Sequence, residues 1–437
     1  MTSRRHESAS LSASILAAST KGNGATASGI AQHEHAQNWN LLREDLSLPA
    51  AVIYQSRLNN NLKWMQDFAN SQGVKLAPHG KTTMIPAFFK QQLASGAWAL
   101  TLATAPQVAA AHHAGVARVI MANQLVGKRN MTIISELLAT ECAGQPFEFY
   151  CLVDSVDNVR QLGEFFSRTQ QTLQILIEVG VAGGRCGCRT QEQIADLVDA
   201  IRQYPSLKLC GVETYEGLIS GERADARIRE HLLRVREICS RLRDEGAFKT
   251  DSIILTGAGS AWYDLVSEIF SDDALTQPVN GQRIVPVIRP GCYLIHDKGI
   301  YLDAQQKVMD RLAGRCDLSG DLQSSLEIWA YVQSIPEPDR AILGLGKRDA
   351  AFDAGLPQPQ LFYRPGTSQP IEAPREWRVQ SIMDQHSMMA IPPGTDLRVG
   401  DIIALSTSHP CLTFDKWRQV CVIDDQYNVV EQVETFF

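Results

Sequence analysis

Between residues 75 and 294 the chain alternates short β-rich runs with stretches of helical spacing, and this rhythm limits the fold more than any other feature. The runs cover 75–80, 98–104, 118–123, 147–154, 173–180, 207–215, 252–259 and 285–294. Helix-like segments such as Ala105–Ala114, Gln191–Arg202 and Asp225–Gly246 lie between them; the last opens on an aspartate suited to an N-cap and closes on a glycine. Parallel neighbours need a crossover of a dozen or more residues, so this alternation predicts a parallel sheet. Eight repeats are the number that closes a (β/α)8 TIM-type barrel. An open doubly wound sheet is the alternative with the same alternation. In a barrel, chemistry collects on the loops that follow the strands.

After about Gly320 helical periodicity fades. Glu327–Ser334, Ala341–Leu345, Arg378–Met383 and Asp401–Leu405 look like strands joined by Pro/Gly loops, and Cys421–Asp424 and Val429–Val433 follow. This pattern predicts a C-terminal antiparallel β-domain. The expected division is a loosely ordered leader over 1–44, a barrel over 45–318 and the β-domain over 319–437. A length of 437 residues suits a large domain with a smaller one. In the leader, Arg4 and Arg5 precede a short apolar stretch broken by serines, a poor signal peptide. The net charge of −7 shows no basic excess for nucleic acid or an anionic membrane surface. No apolar run approaches the roughly 20 residues that span a bilayer. Ten scattered cysteines in so long a chain point to a reducing, cytoplasmic setting.

The loops after the runs hold the candidate chemistry. Lys81 follows the first run in Lys75-Leu76-Ala77-Pro78-His79-Gly80-Lys81-Thr82. Desolvation at the mouth of a strand lowers a lysine pKa, and the neutral amine forms a Schiff base with an aldehyde cofactor. An ordinary surface lysine is the plainer alternative. A phosphate loop is excluded, because Lys75 stands where that motif needs its first glycine. Thr256-Gly257-Ala258-Gly259-Ser260 closes the seventh run. Small residues there let backbone N–H groups surround an anion, with the Ser260 hydroxyl as a further donor; a structural turn is the other reading. Arg185 lies in a glycine-rich loop after the fifth run, suited to a phenolate or carboxylate, or to a plain salt bridge. Cys186 and Cys188 lack a second pair to complete a tetrahedral site and read as structural. Tyr215 closes the sixth run and either bonds a cofactor ring nitrogen or packs as core. Tyr293, in Arg289-Pro290-Gly291-Cys292-Tyr293, raises the same choice. In Ser408-His409-Pro410-Cys411, side chains at i and i+2 of an extended segment point the same way, so His409 and Cys411 can meet one cation. Two ligands of this kind suit Zn2+ and leave positions open; a buried packed pair is the alternative.

Taken in order, Pro78-His79-x-Lys81-Thr82, Arg185-Cys186-Gly187, Tyr215-x-Gly217, Gly257-x-Gly259-Ser260, Arg289-Pro290-Gly291-x-Tyr293 and His409-Pro410-Cys411 resemble one known family. It is the D-serine dehydratase and D-threonine aldolase family of fold-type III pyridoxal-phosphate enzymes. Within it, His409-Pro410-Cys411-x-Thr413-Phe414-Asp415-Lys416-Trp417 resembles the bacterial D-serine deaminase-like, or amino acid deaminase, branch. The resemblance covers about residues 45 to 437. It implies pyridoxal 5'-phosphate on Lys81, its phosphate on Gly257, Gly259 and Ser260, its pyridine nitrogen facing Tyr215 and its phenolic oxygen near Arg185. Tyr293 is carried with the cofactor-binding set, and His409 and Cys411 would bind Zn2+ or another divalent cation. Two departures bear on substrate contacts: Thr83-Met84 replaces a frequent His-Lys, and Glu213 stands where glutamine is frequent.

The implied reaction is α,β-elimination of water from a D-3-hydroxy amino acid, with Lys81 as general base and the cation acting on the β-hydroxyl. Retro-aldol cleavage to glycine and an aldehyde uses the same parts. A non-catalytic pyridoxal-phosphate carrier would need the barrel alone, and the β-domain with His409 and Cys411 argues against it and against racemisation. The D preference and an expected homodimer come only from the family.

Overall fold

The computed structural model describes residues 38–314 and 318–437, and each of the eight runs contributes a strand to one parallel sheet. The strands are Lys75–Leu76, Leu100–Leu102, Arg118–Gln124, Glu148–Val153, Leu173–Glu178, Leu207–Glu213, Ser252–Gly257 and Arg283–Ile288. From the second onward each pairs with the next, and the eighth returns to the first with Val287 opposite Lys75. A parallel bridge between His79 and Thr101 joins the first strand's continuation to the second and closes the ring. The sheet is therefore a barrel and not an open doubly wound layer.

Alternation along each strand builds two cores. Ala77, Ile120, Leu152, Leu176, Ile254 and Val287 share one buried cluster, whereas their neighbours Val119, Met121, Val153, Ile175 and Ile177 belong to another. Successive strand residues face opposite sides, so the first cluster fills the barrel and the second lies under the helices. The helices start where local chemistry favours it. Thr104 caps Ala105–His113, and Thr190 with Gln193 forms a capping box on Gln191–Arg202. The expected N-cap at Asp225 is corrected: the helix runs Ala224–Asp244 behind Arg223. Asp225 lies in its first turn, where an acid suits the helix dipole, and it accepts from Arg311 Nη1 at 3.4 Å.

The second sheet is mostly antiparallel, in the order 371–372, 358–363, 402–406, 326–337, 50–54, 419–423, 429–434. Strands 340–343, 387–390 and 378–382 extend it from 326–337. Strand Ala50–Tyr54 lies inside this sheet, antiparallel to Leu326–Glu337 and parallel to Gln419–Ile423. Chain that the sequence reading gives to the barrel thus enters the second sheet first. Of the expected leader, residues 1–37 lie outside the described residues. Residues 38–44 are not loose: Leu41–Arg43 form a helical turn capped by Asn40, and Leu41 is buried with Val52, Trp329 and Val429. Among the described residues no helix is long and apolar enough to cross a membrane.

Candidate active site

Loops from the barrel strands and a turn from the second sheet enclose one cavity of about 580 Å³. Lys81, Arg185, Tyr215, Gly259, Ser260, His409 and Cys411 all line it. Gly257 and Tyr293 do not. Gly257 is packing: an added Cβ would meet Val266 and Phe270 side chains at 3.3 and 3.4 Å. Tyr293 is corrected to core, 3% exposed, with its hydroxyl accepting from Gln92 Nε2 at 3.1 Å.

Lys81 sits on the helical turn Gly80–Thr82, just beyond the bridge that closes the barrel. Only glycine fits at position 80, since a Cβ would lie 2.7 Å from the Phe89 ring. The Lys81 side chain is exposed, so the desolvation expected of it does not hold. Its neighbour His79 is different. Burial first, then the charges of Lys81, Arg289 and Arg185, push the His79 pKa far down, and its Nδ1 is buried without a partner. That ring is neutral within a cationic wall.

Arg185 is presented by a loop whose carbonyls are gathered by Arg189, which donates to Cys186, Gly187 and Gly184. Gly187 adopts φ +95°, and its N–H donates to Asp154 Oδ2 at 2.8 Å. The Arg185 guanidinium lies 5.0 Å from the Tyr215 ring centroid. Burial, then Glu216, raises the Tyr215 pKa, so the phenol keeps its proton. The ring also explains Gly259, where a Cβ would approach it to 3.0 Å.

The turn 256–260 departs from the expected anion cradle. Glu216 accepts the N–H groups of Ala258 and Gly259 at 3.1 and 3.0 Å, so those two amides are already committed to a carboxylate. Ser260 Oγ accepts from the N–H groups of Gly291 and Cys292 at 3.2 and 3.1 Å, which leaves its own hydrogen to donate. Beneath this floor Glu213 pairs with Arg289, both almost fully buried. Burial raises the Glu213 pKa and Arg289 opposes it. Removing one partner of such a pair strands the other charge, which is the costly case.

His409 and Cys411 do meet, but not along a strand. Pro410 is helical and Cys411–Phe414 form a helical turn, held by Thr413 Oγ1 donating to the His409 carbonyl at 3.1 Å. His409 Nδ1 contacts Asp353 Oδ2 at 2.7 Å, which orients the ring and directs Nε2 away from that carboxylate. The contact to Cys411 raises the His409 pKa, while hydrogen bonds from Cys292 and then His409 lower that of Cys411. Cys411 is thus drawn toward thiolate, the form that binds metal. Neither Glu216 nor Asp353 was singled out from sequence. Glu216 is the middle residue of Tyr215-x-Gly217, but nothing in the spacing shows that its carboxylate turns back onto the next loop; Asp353 is 56 residues from its histidine.

Two family models match the chain: the alanine racemase N-terminal domain over residues 53–268 and the putative serine dehydratase domain over 325–423. D-threonine aldolase of Arthrobacter sp. is 25% identical over 391 residues, covering 88% of this chain and 90% of the aldolase. The solved D-threonine aldolase of Filomicrobium marinum superposes with a TM-score of 0.72 at 21% identity, covering 91% of this chain and 97% of that one. D-threo-3-hydroxyaspartate dehydratase of Delftia sp. HT23 superposes at 0.68 and 19% identity, covering 91% and 99%; a cysteine-to-alanine mutant of that enzyme has been solved in a metal-free form. The chain belongs to the fold-type III pyridoxal-phosphate enzymes. It is a lyase of that group, as its named relatives are.

The cavity fits a fold-type III cofactor. An exposed lysine amine, the Arg185 and Arg289 charges, a free Ser260 hydroxyl hydrogen and glycines at 259 and 291 give a phosphate-bearing aldehyde an anchor, countercharge and room. At Gly291 a Cβ would lie 2.5 Å from His79 Cβ. The one imidazole and one thiolate at 409 and 411 suit a borderline-soft divalent cation. Among the described residues, Asp154, Glu178 and Cys186 are the only three metal-type side chains whose donor atoms lie within 4.8 Å of one another. Asp154 and Glu178 already accept from Gly187 N–H and Gln124 Nε2, so this cluster ties down the Arg185 loop.

Burial, then Glu213, raises the Glu178 pKa from 4.5 to about 7. A carboxyl with a raised folded-state pKa contributes stability that is complete below its unfolded value and lost as pH rises through the folded one. Relative to wild type, Glu178→Gln should therefore gain on the order of 2 kcal/mol between pH 4.5 and 8. Urea unfolding at the two pH values checks this, and a difference independent of pH contradicts it.

Proposed function

We propose that the chain is a pyridoxal-phosphate- and divalent-metal-dependent D-serine dehydratase, converting a D-3-hydroxy amino acid to a 2-oxo acid and ammonia. The observation that carries this reading is the placement of Lys81 and the His409/Cys411 pair on the wall of one cavity. Pyridoxal phosphate, when bound, supplies the electron sink that makes a carbanion at Cα accessible. Lys81 would hold it covalently, with Ser260 and Arg289 near its phosphate, Tyr215 toward its ring nitrogen and Arg185 toward its phenolic oxygen. Lys81 Nζ, placed on the cavity wall, would also be the base for the α-proton. His409 Nε2 and Cys411 Sγ would hold the cation, a Lewis acid for the leaving hydroxyl. Asp353 keeps the imidazole in place for that role.

Elimination needs only a base at Cα and an acid at the β-oxygen, and the cavity offers both. Retro-aldol cleavage leaves the α-proton in place and instead needs a base for the β-hydroxyl, whose proton departs as the Cα–Cβ bond breaks. Asp415, on the same wall as His409 and Cys411, is placed to serve as one, and this keeps D-threonine aldolase as the second reading. Incubation with D-serine, D-threonine and their L forms separates the two. The dehydratase produces ammonia and 2-oxo acid from the D forms, falls at least tenfold after chelation, and recovers with Zn2+. Glycine and aldehyde as the main products from D-threonine would replace this reading with the aldolase.

We also infer a homodimer that covers the mouth of the cavity. Leu218, Ile300, Leu302, Phe352 and Leu412 are exposed beside Tyr215, Tyr301, Asp353 and Cys411, an apolar fringe that a second copy would bury. Sedimentation equilibrium at the mass of two chains is the expected result, and a monomer at micromolar concentration is the contrary one.

A further inference from the structure

Cys292 has no part in the chemistry above, yet its sulfur touches one that does. It opens the helical turn Cys292–Leu294 after the last barrel strand, whereas Cys411 opens a turn in the second sheet's domain. The two Sγ atoms are 3.5 Å apart, and Thr82 Oγ1 lies 3.4 Å from Cys411 Sγ and 3.8 Å from Cys292 Sγ. A disulfide is about 2.05 Å long, so bond formation needs a closing movement of about 1.5 Å. Both side chains line the cavity, Cys292 nearly buried and Cys411 partly exposed, which lets a small oxidant reach the pair from the cavity.

We propose that Cys292 and Cys411 form an oxidisable thiol pair whose disulfide withdraws Cys411 from the metal site. The oxidant class is a peroxide. The Cys411 sulfur attacks one oxygen of hydrogen peroxide, the O–O bond breaks, and sulfenic acid and water result. The Cys292 sulfur then displaces the hydroxyl from Cys411, and its thiol proton leaves with that hydroxyl as a second water. In sum, two thiols and one peroxide give one disulfide and two waters. The bond ties the barrel to the second domain across the cavity. The link to metal rests on the reading of Cys411 as a ligand; the bond itself does not. A cation on Cys411 and a disulfide at Cys411 compete for one sulfur, so bound Zn2+ should slow oxidation.

The test is peroxide treatment of the full-length protein carrying pyridoxal phosphate and Zn2+, read by intact mass, peptide mapping without reduction, zinc release and turnover. Wild type should lose about 2 Da, yield a linked peptide pair containing Cys292 and Cys411, and release its zinc. Turnover should fall at least tenfold and return with dithiothreitol and Zn2+. Prior chelation should speed the linkage. In Cys292→Ser the sulfenic acid has no thiol partner, so Cys411 gains oxygen instead and its loss of activity resists dithiothreitol once sulfinic acid forms. Peptides of 292 and 411 that stay unlinked while other cysteines oxidise overturn the proposal. A linked pair with zinc and turnover retained shows the bond but overturns Cys411 as the ligand, which separates the two failures.

Discussion

The first barrel strand is two residues long, so closure of the ring falls on the segment just beyond it. Thr101 N–H donates to the Pro78 carbonyl at 2.8 Å, and Thr101 Oγ1 donates to the Ala77 carbonyl at 2.6 Å. His79 pairs across the same seam. Lys81 therefore emerges two residues past the last fixed point of the sheet, on a turn that the Phe89 ring restricts to glycine at its start. A loosened seam would displace the amine and the Thr82 hydroxyl together, and Thr82 is, with Cys292, a barrel contact to Cys411. The Lys81 amine and the Cys411 side of the cavity are thus both referred to one short stretch of backbone.

Electrostatics complete the positioning. Lys81, Arg185 and Arg289 surround a neutral His79, and the Arg289 charge is partly spent on buried Glu213. This arrangement tolerates a dianionic phosphate without burying unpaired cations beforehand. Glu216 performs a separate task. By accepting two amides of the 256–260 turn it fixes the loop that presents Ser260, so order in that loop does not depend on the ligand. The Glu213–Arg289 contact also gives a physical reason for a carboxylate at position 213.

The barrel was legible because its signal is repeated: eight apolar runs, each flanked by helix-forming stretches, overdetermine a parallel sheet even though single strand ends shift by several residues. The second sheet was less so. Strand Gln358–Tyr363 carries Pro359 and a bulge before Leu361, and Ser387–Ala390 is built on two methionines, so neither shows strand chemistry in sequence. Ala50–Tyr54 reads as a strand but not as a member of the distant sheet, since its partners lie more than 270 residues away. At the site, short-range motifs named Lys81, Arg185, Tyr215, Ser260, His409 and Cys411. They misplaced Tyr293, whose polar tip finds Gln92 in the core, and they gave an extended segment to 409–411 where Pro410 begins a helical turn. Glu216, Asp353 and Cys292 act through tertiary contacts that no local spacing encodes.

Covalent attachment of the cofactor to Lys81 is the claim on which the rest stands. Borohydride reduction of the pyridoxal-phosphate-loaded protein, followed by peptide mapping, tests it directly. The account predicts a single pyridoxyl modification, on the peptide carrying Lys81, that disappears in Lys81→Ala together with turnover. A pyridoxyl group mapped to any other lysine would contradict it.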